Sequence, residues 1–331
     1  MAENDPIPTI PQIYARGREE LARRGYKRIF APESATRASI EANRARLDGI
    51  FFRTKFLRQV SADTSTTLFG VSLKTPVFCS PMSSFRELSD EALADIARGV
   101  KNAGSLLMLG IGGSDELQSA IDTGVPVVKI VKPYRNTELI YEKIREAESR
   151  GCVAVGMDVD HFHGVLREGR VTRAEVFAPQ SPELLGQLIA STSLPFIVKG
   201  VLSVEDAREA EHRGAAAVIV SSHGASSLDY ALPSVVALPQ IADAVGGSLR
   251  VLVDTGFKTG NDVVKALALG AHAVGFAGSI LLAWGAGGSV GVENLITQLT
   301  AEIRRTLTIL GCPSPSEIDR SAIVDVGRPG G

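Results

Sequence analysis

The chain has 331 residues, too long for one ordinary core of about 100–150 residues, so length allows either two domains or a single α/β barrel, which routinely passes 200. With 44% hydrophobic and 22% charged residues it is neither disordered nor fibrous. A formal net charge of -2 gives no basic field to gather nucleic acid or anionic lipid, so the expected partner is a small molecule, with no nucleic acid and no membrane.

Cys79, Cys152 and Cys312 are scattered and lie in or beside apolar runs, which predicts buried free thiols rather than a disulfide framework or a zinc ribbon. Residues 1–9 carry no basic then apolar leader, and no stretch approaches 18 uninterrupted apolar residues. A cytoplasmic protein is expected.

In chain order, Ile10–Arg24 and Thr36–Asp48 read as helices and Phe51–Phe69 as an irregular segment of hairpin or lid character. Residues 1–75 are therefore expected to form an N-terminal helical extension and lid that closes the bottom or side of the main domain. From residue 76 apolar runs alternate with amphipathic segments. The strands are Pro76–Ser80, Ser105–Leu109, Pro126–Val131, Val153–Val159, Pro195–Val198, Ala216–Val220, Arg250–Val253 and Ala273–Phe276. Between them fall the helices Ser89–Ala103, Asp115–Ile121, Asn136–Ser149, Pro182–Ser191, Ser203–Arg213, Leu238–Val245 and Gly260–Leu269, with Val290–Leu310 the eighth. Eight βα units over residues 76–312 predict an α/β fold, a (β/α)8 TIM barrel, with a tail at 313–331. No GxGxxG comes after the first strand, which argues against a dinucleotide fold.

Barrel sites open at the C-terminal ends of the strands, because the βα loops diverge there while the interior below is packed solid. The exits carry Pro81, Met82 and Ser83, then Gly110, Lys129, Asp158 and Asp160, Lys199, Ser221-Ser222-His223, Asp254, and Ala277-Gly278. His223 has the side chain of a general base, Asp160 can orient it, and Lys199 can stabilise a developing anion. Lys129 and Asp158, on neighbouring strands, are expected to form an ion pair or a new acid/base pair. The stretch VDTGFKTGNDVVKALALGAHAVGFAGS reads as a phosphate grip, with glycines for close backbone approach, helix N-terminal amides and the Lys258 cation. A rival reading takes Asp158, Asp160, His161 and His163 of DVDHFH, with Lys199, His223 and Asp254, as the set of a metal-dependent hydrolase.

At these residues the chain resembles the FMN-dependent 2-hydroxy-acid oxidase and dehydrogenase family, the glycolate and lactate oxidase group. The resemblance is carried by ANRARLDGIFFR, DTSTTLFG, SPMSSF, DVD, LPFIVKGVLSVEDAREAEHRGAAAVIVSSHG, DTGFKTGNDVVKALALGA and RRTLTILGCPSPSEI. It implies a barrel that binds FMN, with His223 as catalytic base, Asp160 as its carboxylate and Lys199 beside flavin N1. It further implies FMN contacts from Pro81, Met82, Ser83, Gly110, Lys129, Asp158, Asp254, Thr255, Gly256, Lys258, Ala277, Gly278 and Ser279. Lys258 stands where the family has one phosphate arginine and Gly278 where it has a second.

The substrate side departs from the family. The clamp arginine of HGxR is Ser226, two active-site tyrosines fall on Ile29 and Val131, and a second substrate arginine persists as Arg167. Each lost clamp forfeits a charge-assisted bond of about 1.5–3 kcal/mol to a carboxylate. The expected activity is thus FMN-dependent oxidation of an alcohol or hydroxy-acid-like carbon in a substrate larger and less anionic than glycolate or lactate. The alternatives are a non-redox FMN isomerase or a decayed flavin-binding homologue. A homotetramer is also implied, with Trp284 and Gly285–Gly288 as interface elements.

Overall fold

The computed structural model describes residues 7–26, 34–58, 60–82, 85 and 88–327. The extension supplies α1 (Ile10–Arg23), α2 (Ala38–Asp48), β1 (Ile50–Phe52) and a hairpin of β2 (Thr66–Leu68) and β3 (Val71–Leu73). Next come β4 (Val77–Met82), α3 (Ala92–Asn102), β5 (Leu106–Leu109), α4 (Ser114–Asp122), β6 (Val127–Val131), α5 (Thr137–Ser149) and β7 (Ala154–Asp158). A second hairpin, β8 (Val165–Arg167) and β9 (Arg170–Thr172), precedes α6 (Pro182–Ala190), β10 (Phe196–Val201), α7 (Val204–His212) and β11 (Ala217–Val220). The chain ends with α8 (Ser234–Val245), β12 (Arg250–Val253), α9 (Gly260–Ala268), β13 (Ala273–Phe276), α10 (Gly278–Leu310) and β14 (Ile323–Asp325).

Strands β4, β5, β6, β7, β10, β11, β12 and β13 close in that order into a parallel barrel, so the (β/α)8 TIM barrel is the observed fold. Each strand divides its side chains by parity. Phe78, Leu106, Met108, Val128, Ile130, Ala154, Ile197, Ala217, Ile219, Leu252 and Ala273 fill the interior. The alternate residues, such as Val77, Leu107, Val131, Met157, Val218, Val251 and Val274, pack against the helices. Side-chain caps set several helix starts: Asn136 Oδ1 accepts from the Glu138 and Leu139 amides, and Ser181, Ser203 and Thr259 cap α6, α7 and α9.

Three features differ from the sequence expectation. Helix α8 starts at Ser234 rather than Leu238 and carries Pro239 internally. The eighth helix reaches back to Gly278, with non-helical backbone at Gly287 and Gly288. The β8–β9 hairpin and the pairing of β14 with β1 were not anticipated, because three-residue strands carry too little alternation to register.

The extension does more than close the bottom or side. Leu68 and Leu73 of the β2–β3 hairpin join the interior cluster and plug the bottom of the barrel. Helix α1 covers the side: Gly17 lies so close to α10 that a Cβ would run into the Leu282 carbonyl. Helix α2 reaches the opposite, C-terminal end, where the Asn43 side chain donates to Thr255 O and accepts from the Val235 amide. Docking of α1 also corrects the assignment of Trp284 and Gly285 to an interface, whereas Gly287 is exposed. Trp284 is buried within its own chain beside Tyr26 and Arg24, and Gly285 lies against Leu21. Cys79, Cys152 and Cys312 are buried free thiols, as expected. No described helix is long and apolar enough to cross a membrane.

Candidate active site at the strand exits

The inward parity that gives the apolar interior continues one layer further and becomes polar. Counting on by twos from Phe78, Ile130, Gly156, Ile197, Ile219 and Leu252 reaches Ser80, Lys132, Asp158, Lys199, Ser221 and Asp254. These six converge. Asp158 lies 2.6 Å from Lys132 Nζ and 3.1 Å from Lys199 Nζ; Lys199 also lies 4.0 Å from Asp254, which accepts from Ser80 Oγ at 3.1 Å.

Above this ring, His223 Nδ1 stands 3.3 Å from the Asp160 carboxylate and 3.1 Å from Lys199 Nζ. His223 and Ala225 have left-handed backbone, with φ of 51° and 62° on either side of Gly224. The turn is held by bonds from His223 N to Ser221 Oγ and from Ala225 N to Ser222 O. Asp160 is in turn fixed by Ser227 Oγ at 2.7 Å. Gly200 makes room for it, since a Cβ there would sit 2.5 Å from the Asp160 carboxyl carbon, and β10 bulges at that point.

The second ring of the site is one that the sequence reading did not assemble. His161 stacks on His223 with ring centroids 3.8 Å apart. Its Nδ1 lies 2.6 Å from Lys132 Nζ and its Nε2 3.0 Å from Ser226 Oγ. An ammonium has only donors, so Lys132 donates to Nδ1 and the ring proton sits on Nε2, facing Ser226. Ser226 Oγ then donates to His223 O at 2.6 Å.

Electrostatics reflect this geometry. Burial works against ionisation of Asp158, but Lys132 and Lys199, with His223 and His161, outweigh it and hold the carboxyl well below the usual carboxylate range. Burial likewise opposes the charge on Asp160, and the fields of His223, His161 and Lys199 with the His223 hydrogen bond reverse it, lowering that carboxyl too. Lys199 would lose its proton to burial were it not for Asp158, Asp254 and Asp160, which raise it above the usual lysine value. Burial, then His223 and Lys132, push His161 down to about 2, so it is neutral.

Three sequence assignments are corrected, those of Lys129, Val131 and His163. Lys129 and Val131 have outward parity and lie in the helix layer, where neither faces the barrel mouth. Lys129 donates to Gly110 O at 2.5 Å and does not pair with Asp158; Lys132 is the partner. The inward positions of that strand are Ile130 and Lys132. His163 is exposed and stacks on Phe162, away from the metal set proposed for DVDHFH. Asp158, His161 and His223 do bring ligand atoms within 4.8 Å of one another, but the Lys132 ammonium already lies 2.6 Å from both Asp158 and His161, on the side a cation would share.

Of the other expected residues, Pro81 and Met82 end β4, and Met82 O accepts from the Gly110 amide. Thr255 Oγ1 donates to Asp254 at 3.1 Å, and Gly256 lies in the turn to Lys258. Ala277, Gly278 and Ser279 form the start of α10. Tyr14 of α1 donates to Lys258 O at 2.7 Å and bonds Ser279, joining the two loops; burial raises its hydroxyl to about 12. Arg167 ends β8, half-buried, next to Leu166, whose amide bonds Ser226 O. Ile29 and Ser83 lie outside the described residues.

The chain has counterparts among known proteins. Residues 19–184 and 174–325 match the FMN-dependent dehydrogenase family. The chain belongs to that family. It is 28% identical to glycolate oxidase 1 of Zea mays and 30% identical to glycolate oxidase 3 of Arabidopsis thaliana, each time over 96% of both chains. A mandelate oxidase variant with one arginine replaced by leucine, solved with 2-hydroxy-phenylacetamide, superposes with a TM-score of 0.86 at 30% identity, covering 94% of this chain and 96% of that one. A mandelate oxidase with a monooxide FMN adduct gives 0.83 at 32% identity, covering 91% and 96%.

FMN is the cofactor of this FMN-dependent dehydrogenase, and the residues fit it. At the phosphate end the exposed Lys258 supplies a cation. Gly278 is exposed, a Cβ there would meet nothing within 4 Å, and the first amides of the 33-residue α10 begin beside it. The α9 amides are not part of this grip, since Lys258 N and Thr259 N donate to Asp262 and Gly260 N to Glu302. At the other end Lys199 provides a charged donor held rigid by three carboxylates.

Proposed function

We propose that this FMN-dependent dehydrogenase oxidises a CH–OH carbon, with His223 taking the proton, in a substrate larger and less anionic than glycolate or lactate. The observation that carries the reading is the placement of His223. Its Nδ1 lies 3.3 Å from the Asp160 carboxylate and 3.1 Å from the Lys199 ammonium, which is also 3.1 Å from Asp158; with Lys199 directed to Asp158 and the Nδ1 proton given to Asp160, Nε2 is the basic nitrogen and the ring is held for proton removal. When bound, FMN accepts the two electrons released from carbon. Asp160 stabilises the imidazolium formed once His223 holds the proton, Lys199 balances negative charge in the ring below, and Ser227 keeps Asp160 in place.

The substrate side supports a less anionic molecule. Ser226 stands where the family resemblance implies a carboxylate-binding arginine, and its hydroxyl is committed to His223 O and His161. A mandelate oxidase variant with one arginine replaced by leucine was solved with an uncharged hydroxy amide, which supports such a substrate on a scaffold short of an arginine. A homotetramer belongs to the same reading and is checked by light scattering.

Purified protein is expected to be yellow and to bleach anaerobically with its substrate. His223→Asn should lower the bleaching rate by about 10²–10⁴-fold while leaving the flavin bound. Protein that takes up no FMN, or a His223→Asn variant that bleaches at the wild-type rate, would sink the proposal.

A further inference from the structure

The wall beside His223 has a definite hydrogen-bond polarity, and we infer from it that the substrate group flanking the reacting carbon is an uncharged N–H donor of the carboxamide type, not a carboxylate. The inference rests on the oxidation reading above and names the substrate class of that site.

The proton-donating groups of the wall are spent in one direction. Lys132 donates to Asp158 and to His161 Nδ1, His161 Nε2–H points at Ser226 Oγ, and Ser226 donates to His223 O. Ser227 spends its hydroxyl proton on Asp160. What Ser226 retains is an oxygen lone pair, which can accept an N–H but can only repel a carboxylate oxygen. His161 cannot change this by protonating, because Lys132 already occupies Nδ1.

Charge points the same way. Around His223 stand three carboxylates, Asp158, Asp160 and Asp254, against two ammonium groups, Lys132 and Lys199. Both lysines are within 3.1 Å of Asp158, so neither is a spare counter-ion. A carboxylate entering here adds a fourth negative charge to a buried site, whereas an amide adds none. Arg167 is a cation outside this ring, carried at the turn of the β8–β9 hairpin where it pairs with Arg170 in register.

Calorimetric titration of the FMN-loaded protein with two probes that cannot be oxidised at carbon, phenylacetamide and phenylacetate, tests the inference. The amide is expected to bind about tenfold or more tightly. Ser226→Arg should reverse the order by restoring a fixed donor fork. Equal or tighter binding of phenylacetate by the wild type, binding of neither probe, or an unchanged ratio in Ser226→Arg would overturn it. Phenylacetate binding that disappears in Arg167→Met would also overturn it, by placing a carboxylate at the hairpin. Anaerobic mixing with 2-hydroxy-phenylacetamide separates this from the parent reading: amide binding with no bleaching rejects the oxidation and leaves the selectivity standing.

Discussion

Burying an imidazole between a lysine and a second histidine has a thermodynamic signature that can be read without any substrate. His161 has its native pKa pushed from 6.5 to about 2 by burial and by the fields of His223 and Lys132. A histidine depressed in this way is neutral in the fold and free to protonate in the unfolded chain. Stability is therefore fully present above the unfolded value and is lost as pH falls below it. At pH 5 the proton taken up only by the unfolded chain costs about 2 kcal/mol. Asp158 and Asp160, held low in the fold, add their own loss at more acid pH, below the ordinary carboxylate value of 3.8. Urea unfolding at pH 7 and pH 5 checks the histidine share: His161→Phe, which keeps the stack on His223, should lose about 2 kcal/mol less than wild type across that interval. Equal losses would mean that His161 is not held neutral.

At the scale of the strand, parity decides which charges reach the site. Lys129 and Lys132 are three residues apart and both buried, yet one faces the helices and the other the barrel axis. Lys129 spends its ammonium on the Gly110 carbonyl, and burial lowers it to about 8. Lys132 neutralises a carboxylate and orients His161. Replacing Lys129 with Met should change unfolding free energy by less than about 1 kcal/mol and leave FMN affinity intact, because a poorly compensated buried cation is removed. Replacing Lys132 with Met should cost about 3–5 kcal/mol, because Asp158 loses its shortest ion pair and His161 its donor. Thermal and urea denaturation of the two variants distinguish them, and similar losses would contradict the assignment of faces. Alternation along β6 was legible in VVKIVK, but its phase was not. The two faces of that segment, Val127-Lys129-Val131 and Val128-Ile130-Lys132, each carry two apolar residues and one lysine. Only the registers of β6 with β5 and β7 fix which residues point to the axis.

At the scale of the molecule, helices α1 and α2 of the extension brace the cofactor end of the barrel. Tyr14 on α1 holds the loop after β12 against the start of α10, and Asn43 on α2 holds Thr255. FMN binding at that end should therefore stabilise the whole fold. At free FMN about 100-fold above its dissociation constant the gain is about 2.7 kcal/mol, or roughly 5 °C in Tm for a chain of this size. Riboflavin, which offers no phosphate to Lys258 and the α10 amides, should give a smaller rise at equal concentration. Matched scans check this, and equal shifts for the two flavins would remove the phosphate grip from this end of the barrel.

The eight apolar strands, their helices and the residues His223, Asp160 and Lys199 were evident in the sequence, because each depends on local periodicity and on its position at a strand end. Local pattern was therefore enough for the barrel and its open end, while the cofactor family came from the resemblance of whole motifs. The partnership of Lys132 with Asp158, the stacking of His161 on His223 and the hydrogen-bond direction at Ser226 came only from the folded molecule. They join residues from different strands and loops whose phase and distance no local pattern records, and it is closure of the barrel that brings those inward faces to one axis.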